Sequence, residues 1–249
     1  MLLRVFFILG FRLRKEFVMP LFFDSTMILL LPALLLAMYA QYKIKNTFNM
    51  YSRVGAKSGI TGAQVARDIL KSNHINDIPV EMTKGVLTDH YDPRKRVLRL
   101  SSQVYHSSSL AALGVAAHEA GHVMQHEQSY VPFRIRSAIV PVATIGSQLA
   151  FPLFFLGIIL AAPSLIEIGV LAFSAAVLFQ IVTLPVEFNA SNRALEALEG
   201  GGYLLRNEIA PARKVLNAAA LTYIAATIMA VMQLLRLLLL SGMLGRRND

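Results

Sequence analysis

The chain has 249 residues, 55% of them hydrophobic and only 16% charged, with a formal net charge of +9. That apolar share exceeds what a soluble domain usually carries, so membrane spans are expected. The absence of cysteine excludes disulfides and thiolate metal sites. The scattered basic residues flank apolar runs, which fits the positive-inside rule and argues against a nucleic-acid partner.

Residues 1–18 read as an apolar N-terminal extension carrying Arg4, Arg12, Arg14 and Lys15, signal-like or interfacial, with no clear cleavage site. Met19 and Met27 are alternative starts. Residues 19–42 form a first transmembrane helix, centred on the run from Met27 to Ala37, with Lys43 and Lys45 directly after it. Pro32 is tolerable inside such a helix.

Residues 43–137 are the longest polar section. Thr61 to Lys71 has the pattern of a capped amphipathic helix. Ile78–Met82 and Arg96–Leu100 read as short strands, with a turn at Asp92-Pro93. A strand just before the next helix can offer its edge to an extended substrate, or the pair is a plain structural hairpin. That helix is expected over about 107–128, opened by the capping cluster Ser107-Ser108-Ser109 and followed by Pro132.

Residues 138–184 give a helical hairpin of two spans, 138–162 and 165–184. Its tip, Ala161 to Ser164, carries no Lys or Arg, whereas Arg134, Arg136 and Arg193 flank its ends. The tip is therefore expected on the non-cytoplasmic side. Pro185 is expected to end or kink the second arm, so that 185–214 holds a separate helix running to Gly200-Gly201-Gly202. Residues 215–249 form a fourth span or an interfacial helix with a C-terminal tail. Gln233 and Arg236 interrupt it, and Arg246-Arg247 would lie outside against the charge rule.

The chemistry centres on His118-Glu119-Ala120-Gly121-His122, set in a run of Ala, Leu, Val and Gly. Residues four apart on a helix share a face, so His118 and His122 can bind one metal ion, and Glu119 can reach a water on it. With six His in the chain, the pattern would arise by chance roughly 0.005 times. Two His and a Glu buried without partners would be costly, and a metal supplies a partner. A catalytic zinc takes three protein ligands and keeps a fourth position open.

Two residues compete for third ligand. His126 lies one turn further along the same helix, where a rigid helix curves poorly around a tetrahedral ion. Glu187, at the boundary of the hairpin's second arm, can complete a His-His-Glu site from a second helix. From position alone it is equally well a solvated Glu in a helix's first turn. His90, within Leu87-Thr88-Asp89-His90-Tyr91-Asp92-Pro93, lies in a polar patch that can line a cleft.

These stretches, with Tyr39-Ala40-Gln41-Tyr42, Leu184 to Ser191 and Leu221-Thr222-Tyr223, resemble the YugP-like family of neutral zinc metallopeptidases of membranes. More distantly the chain is similar to the HtpX and CAAX-prenyl-protease type. The resemblance covers nearly all of the chain from Met27 onward. It implies a mainly α, polytopic helical membrane protein with a small α+β zincin-like metalloprotease domain. The active site would face the cytoplasm from the cell membrane. Zn2+, one per chain, would be held by His118, His122 and Glu187, with Glu119 as general base. The substrate would be a peptide or protein, membrane proteins included. In the HtpX type an Asp follows the ligand Glu by four residues and orients a His; here Ser191 holds that position, and Asn189 is an alternative. Arg193, His90 and Tyr223 are candidate oxyanion donors.

Two other classes compete. A non-catalytic metal-binding scaffold or sensor would not need Glu119. A transporter would need polar residues at mid-span, where the hairpin offers only Ser147, Gln148, Ser174 and Gln180.

Overall fold

The computed structural model describes residues 25–245. The N-terminal extension and Arg246-Arg247 lie outside them. The described residues form seven helices and one three-stranded sheet. A 3-10 turn, Ser25–Leu29, leads into α1 (Leu30–Tyr51). Helix α2 (Gly62–Ser72) opens with a capping box in which Thr61 Oγ1 accepts from the Gln64 N–H and Gln64 Oε1 accepts from the Thr61 N–H. Strands β1 (Val80–Thr83), β2 (His90–Asp92) and β3 (Val97–Ser101) precede a short α3 (Ser102–Tyr105). Helix α4 (Leu110–Glu127) follows, capped by Ser109, whose hydroxyl accepts from the Ala112 N–H at 3.2 Å. Three long helices complete the chain: α5 (Val131–Ile159), α6 (Pro163–Gly200) and α7 (Arg206–Gly245).

The two expected strands are not arms of a hairpin. β1 and β3 pair parallel, with Val80 opposite Leu98 and Met82 opposite Leu100. β2 pairs antiparallel with β3, His90 opposite Arg99, so the sheet order is β1-β3-β2. β3, the strand before α4, has both edges occupied, and β1 and β2 are the edge strands, of which β2 lies nearer α4. A three-residue strand is too short for an alternating pattern to reveal it.

Helices α5, α6 and α7, with the segment Ser25–Tyr51, are long and apolar enough to cross a membrane. Pro185 does not break α6, which runs unbroken from Pro163 to Gly200. Proline removes only the hydrogen bond to the Ile181 carbonyl, and α5 and α7 pack along α6 and hold it through the gap. The arms of the α5–α6 hairpin come close because small residues face backbone. A Cβ on Gly146 would stand 2.6 Å from the Ala172 carbonyl oxygen, and one on Gly169 2.8 Å from that of Ala150. α7 runs antiparallel to α1 over its length: Arg236 Nε donates to Thr26 Oγ1 at 3.2 Å, at the far end of the first span. The site-side core gathers α2, the sheet, α4 and the water-side ends of α6 and α7 around Leu98, Leu113, Ala116 and Leu198. α4 is buried nearly all round, which explains its run of Ala, Leu and Gly.

Candidate metal centre

His118 and His122 lie one turn apart on α4 and project toward α6. Glu187 reaches them from α6, its Oε2 standing 3.3 Å from His118 Nε2 and 3.6 Å from His122 Nε2. The three donor atoms all lie within 4.8 Å of one another. Donors at 2.0–2.2 Å from one tetrahedral ion stand about 3.3–3.6 Å apart, so this set fits zinc. Glu187 is only 2% exposed, which removes the solvated alternative for it. Its Oε1 is buried without a hydrogen bond, with Arg136 Nη1 3.3 Å away. Arg136 supplies a cation on the Oε1 side only, and an ion at Oε2 would supply one on the side that faces the two imidazoles.

Both rings are held from behind. His118 Nδ1 lies 3.1 Å from Ser191 Oγ, and His122 Nδ1 lies 3.0 Å from Gln125 Oε1. Gln125 is wholly buried, and its amide nitrogen donates both to the Val186 carbonyl at 2.8 Å and to Asn189 Oδ1 at 3.0 Å. Its oxygen therefore faces His122 and must accept from Nδ1–H. That leaves the lone pair on Nε2, aimed at Glu187. One side chain thus ties His122 to the backbone just before Glu187. Replacing Gln125 by Ala is expected to weaken zinc binding about 10- to 100-fold, measured by chelator competition. An unchanged affinity would show that the imidazole needs no such support.

The approach of α6 to α4 depends on Gly121. A Cβ there would stand 2.6 Å from the Ala190 carbonyl oxygen and 3.2 Å from its Cα, and backbone cannot step aside. Gly121→Ala is expected to cost about 1–3 kcal/mol of stability and to weaken zinc binding by moving Glu187 off its partners. Thermal unfolding in detergent with and without zinc checks both.

Glu119 is buried beside the ligands and lines a cavity of about 770 Å3 that also touches His122, Glu187 and Tyr223. Burial pushes its carboxyl up to about 7, partly opposed by His118. A dication at the neighbouring ligands would favour the charged form. The segment Asp89–Arg94, which contains β2, forms one wall, and the first turns of α5 form another. Asp89 is pinned by accepting from the Ser101 N–H at 2.7 Å and from its hydroxyl.

The other sequence candidates divide. His90 lines the cavity from the rim, its Nδ1 2.8 Å from the Thr88 carbonyl. Tyr223 lines it beside Glu187. His126 also lines the cavity but is not one of the gathered donors: its Nδ1 lies 2.7 Å from the Tyr91 hydroxyl. Asn189 reaches Gln125 rather than His118. Arg193 is not among the cavity-lining residues: its Nε donates to Asn189 Oδ1 at 2.7 Å, its Nη1 donates to Gln128 Oε1, and its guanidinium lies over Tyr130. Gln125 and Arg136 were not foreseen as site residues. Arg136 read only as a flanking charge, while Gln125, three residues past His122, carried a signal in its spacing alone.

A family model described as "Putative neutral zinc metallopeptidase" matches residues 26–242. The chain is 48% identical over 212 residues to the "Putative membrane protease YugP" of Bacillus subtilis (strain 168), covering 85% of this chain and 94% of that protein. No solved structure matches the chain. A match over nearly the whole length, joined to the two His and one Glu gathered beside four apolar helices, shows that the chain belongs to the YugP-like family of neutral zinc metallopeptidases of membranes.

Proposed function

We propose that the chain is a membrane zinc endopeptidase in which His118, His122 and Glu187 hold one zinc ion and Glu119 is the general base. The observation that carries this reading is the convergence of those three donors, beside a buried, adjacent carboxylate that lines one open cavity together with His122 and Glu187. A purely structural zinc site closes its fourth position and needs no base.

When bound, zinc supplies Lewis-acid chemistry, acidifying water and polarising a carbonyl. Glu119 takes the proton of the attacking water and delivers it to the leaving amine. Gln125 and Ser191 keep the imidazoles turned toward Glu187. The free edge of β2 holds the peptide extended across the cavity by backbone hydrogen bonds, with the side chains of Asp89–Arg94 along one wall. Arg136 and Tyr223, both lining the cavity, are the donors for the developing oxyanion. The catalytic region faces the cytoplasm from the cell membrane. Lys43, Lys45, Arg134, Arg136 and Arg193 gather at the site-side ends of the spans, and the hairpin tip has no basic residue.

Purified full-length protein should cleave casein in detergent, lose that activity on chelation and regain it with one equivalent of zinc. Chelator-resistant cleavage would overturn the mechanism. Zinc binding with no cleavage of casein or of any membrane-bound test protein would favour a metal-binding scaffold.

A further inference from the structure

The cavity over Glu119 sits at the level where three helices change from charged to charge-free sequence. In α5 no charged residue follows Arg136. In α6 the charge-free stretch 168–186 ends directly before Glu187. In α7 the charge-free stretch begins after Lys214 and contains Tyr223. The stretch 168–186 rises about 28 Å as a helix, close to the thickness of a hydrocarbon core. Glu187 therefore lies at the edge of the bilayer, and Arg134 and Arg136 lie at headgroup level.

The cavity does not stop at that level. Ser137, Ala138 and Val140 line it, and they belong to the apolar part of α5. Val140 is four residues beyond Arg136, about 6 Å deeper along the helix axis. The opposite wall, Asp89–Arg94, belongs to the water-side region and carries the free β2 edge. One opening thus joins an extended-peptide edge in water to an apolar wall inside the membrane boundary. Next to that wall, Val142 and Ile145 are exposed on α5, as lipid-facing residues are.

We propose that the preferred substrates are membrane proteins cut in the extended segment directly next to a transmembrane helix. The substrate's span would lie alongside α5, and its first few residues outside the bilayer would pair with β2. This rests on the zinc-peptidase reading and adds a rule of position to it. A soluble chain, or a cleavage sequence held far from the bilayer, leaves the apolar wall unfilled. It also lacks the positioning that an anchored neighbour gives.

The test uses the full-length protein reconstituted in phosphatidylcholine vesicles. Two single-span test proteins carry the same casein-derived sequence, beginning either three or about thirty residues after the span. Both are membrane-bound, so surface concentration is equal and only position differs. The near substrate should be cut with a kcat/KM about tenfold or more above the far one. Equal rates, or faster cutting of the far one, would overturn the proposal while leaving the peptidase reading intact.

A second measurement decides the matter if neither is cut. The chain has no cysteine, so Ser137→Cys in the Glu119→Gln background gives a single thiol on the apolar wall. With iodine added as the two-electron oxidant, it should form a disulfide with a cysteine placed three residues after the near substrate's span, and not with the equivalent position of the far one. Absent or equal cross-linking would overturn the proposal.

Discussion

Replacing Glu119 by Gln is expected to lower kcat for peptide hydrolysis by about 10²–10⁴-fold while zinc content stays at the wild-type level. Gln keeps the size of the side chain and removes its basicity. Glu119 is not one of the three gathered donors, so the ion should be retained. Folding should not suffer either. The carboxyl is buried and already pushed toward its neutral form, and a neutral amide carries less desolvation cost in the same place. Unfolding of the metal-free variant should therefore occur at or above the wild-type temperature. A variant that bound zinc, stayed folded and still cleaved casein at the wild-type rate would remove Glu119 from the mechanism.

Removing Glu187 should act on the metal instead. Glu187→Ala is expected to weaken zinc binding by more than about 100-fold, since a ligand counts for more than the residues that orient ligands. Activity should fall with occupancy. The variant would also strand the Arg136 guanidinium, whose Nη1 lies 3.3 Å from Glu187 Oε1, so some loss of stability is expected. Glu187→Gln separates the two effects. It keeps an oxygen donor of similar reach but no charge, so its zinc affinity should fall between wild type and the Ala variant. If Glu187 were only an ion-pair partner of Arg136, both variants would lower the unfolding temperature and leave zinc affinity unchanged. Chelator competition and thermal unfolding on the same preparations distinguish these outcomes.

Local signals made the helical framework legible in the sequence. Ser109 and Thr61 are strong caps, and both open the helices expected of them. The apolar runs marked three spans and left the fourth open between a span and an interfacial helix, and four helices prove long and apolar enough to cross a membrane. The residues His118, Glu119 and His122 were legible because a helix fixes their mutual geometry without help from the rest of the chain. Glu187 was half legible. Its position at the end of an apolar run pointed to the membrane boundary, but only the fold brings it 3.3 Å from His118 across 69 positions.

What stayed hidden depends on packing between distant elements. Pro185 looks like a helix end when α6 is read alone, and it is the neighbours on either side that carry the helix through. β2 is invisible because three residues make no pattern, so the parallel pairing of β1 and β3 was missed with it. Gln125 reads as an ordinary polar residue near a helix end. Its role emerges only when α6 supplies the Val186 carbonyl and Asn189 as acceptors. Arg193, a candidate oxyanion donor in the sequence, is instead engaged by three partners, Asn189, Gln128 and Tyr130.

The most direct test is zinc K-edge X-ray absorption on the purified full-length protein, with metal content measured on the same sample. One zinc per chain, bound by two imidazole nitrogens and carboxylate or water oxygens at about 2.0–2.2 Å, with the imidazole signal reduced in a His122→Ala variant, is the expected result. A shell of oxygens without imidazole, or no retained zinc in protein that remains folded, would contradict the metal centre and the peptidase built on it.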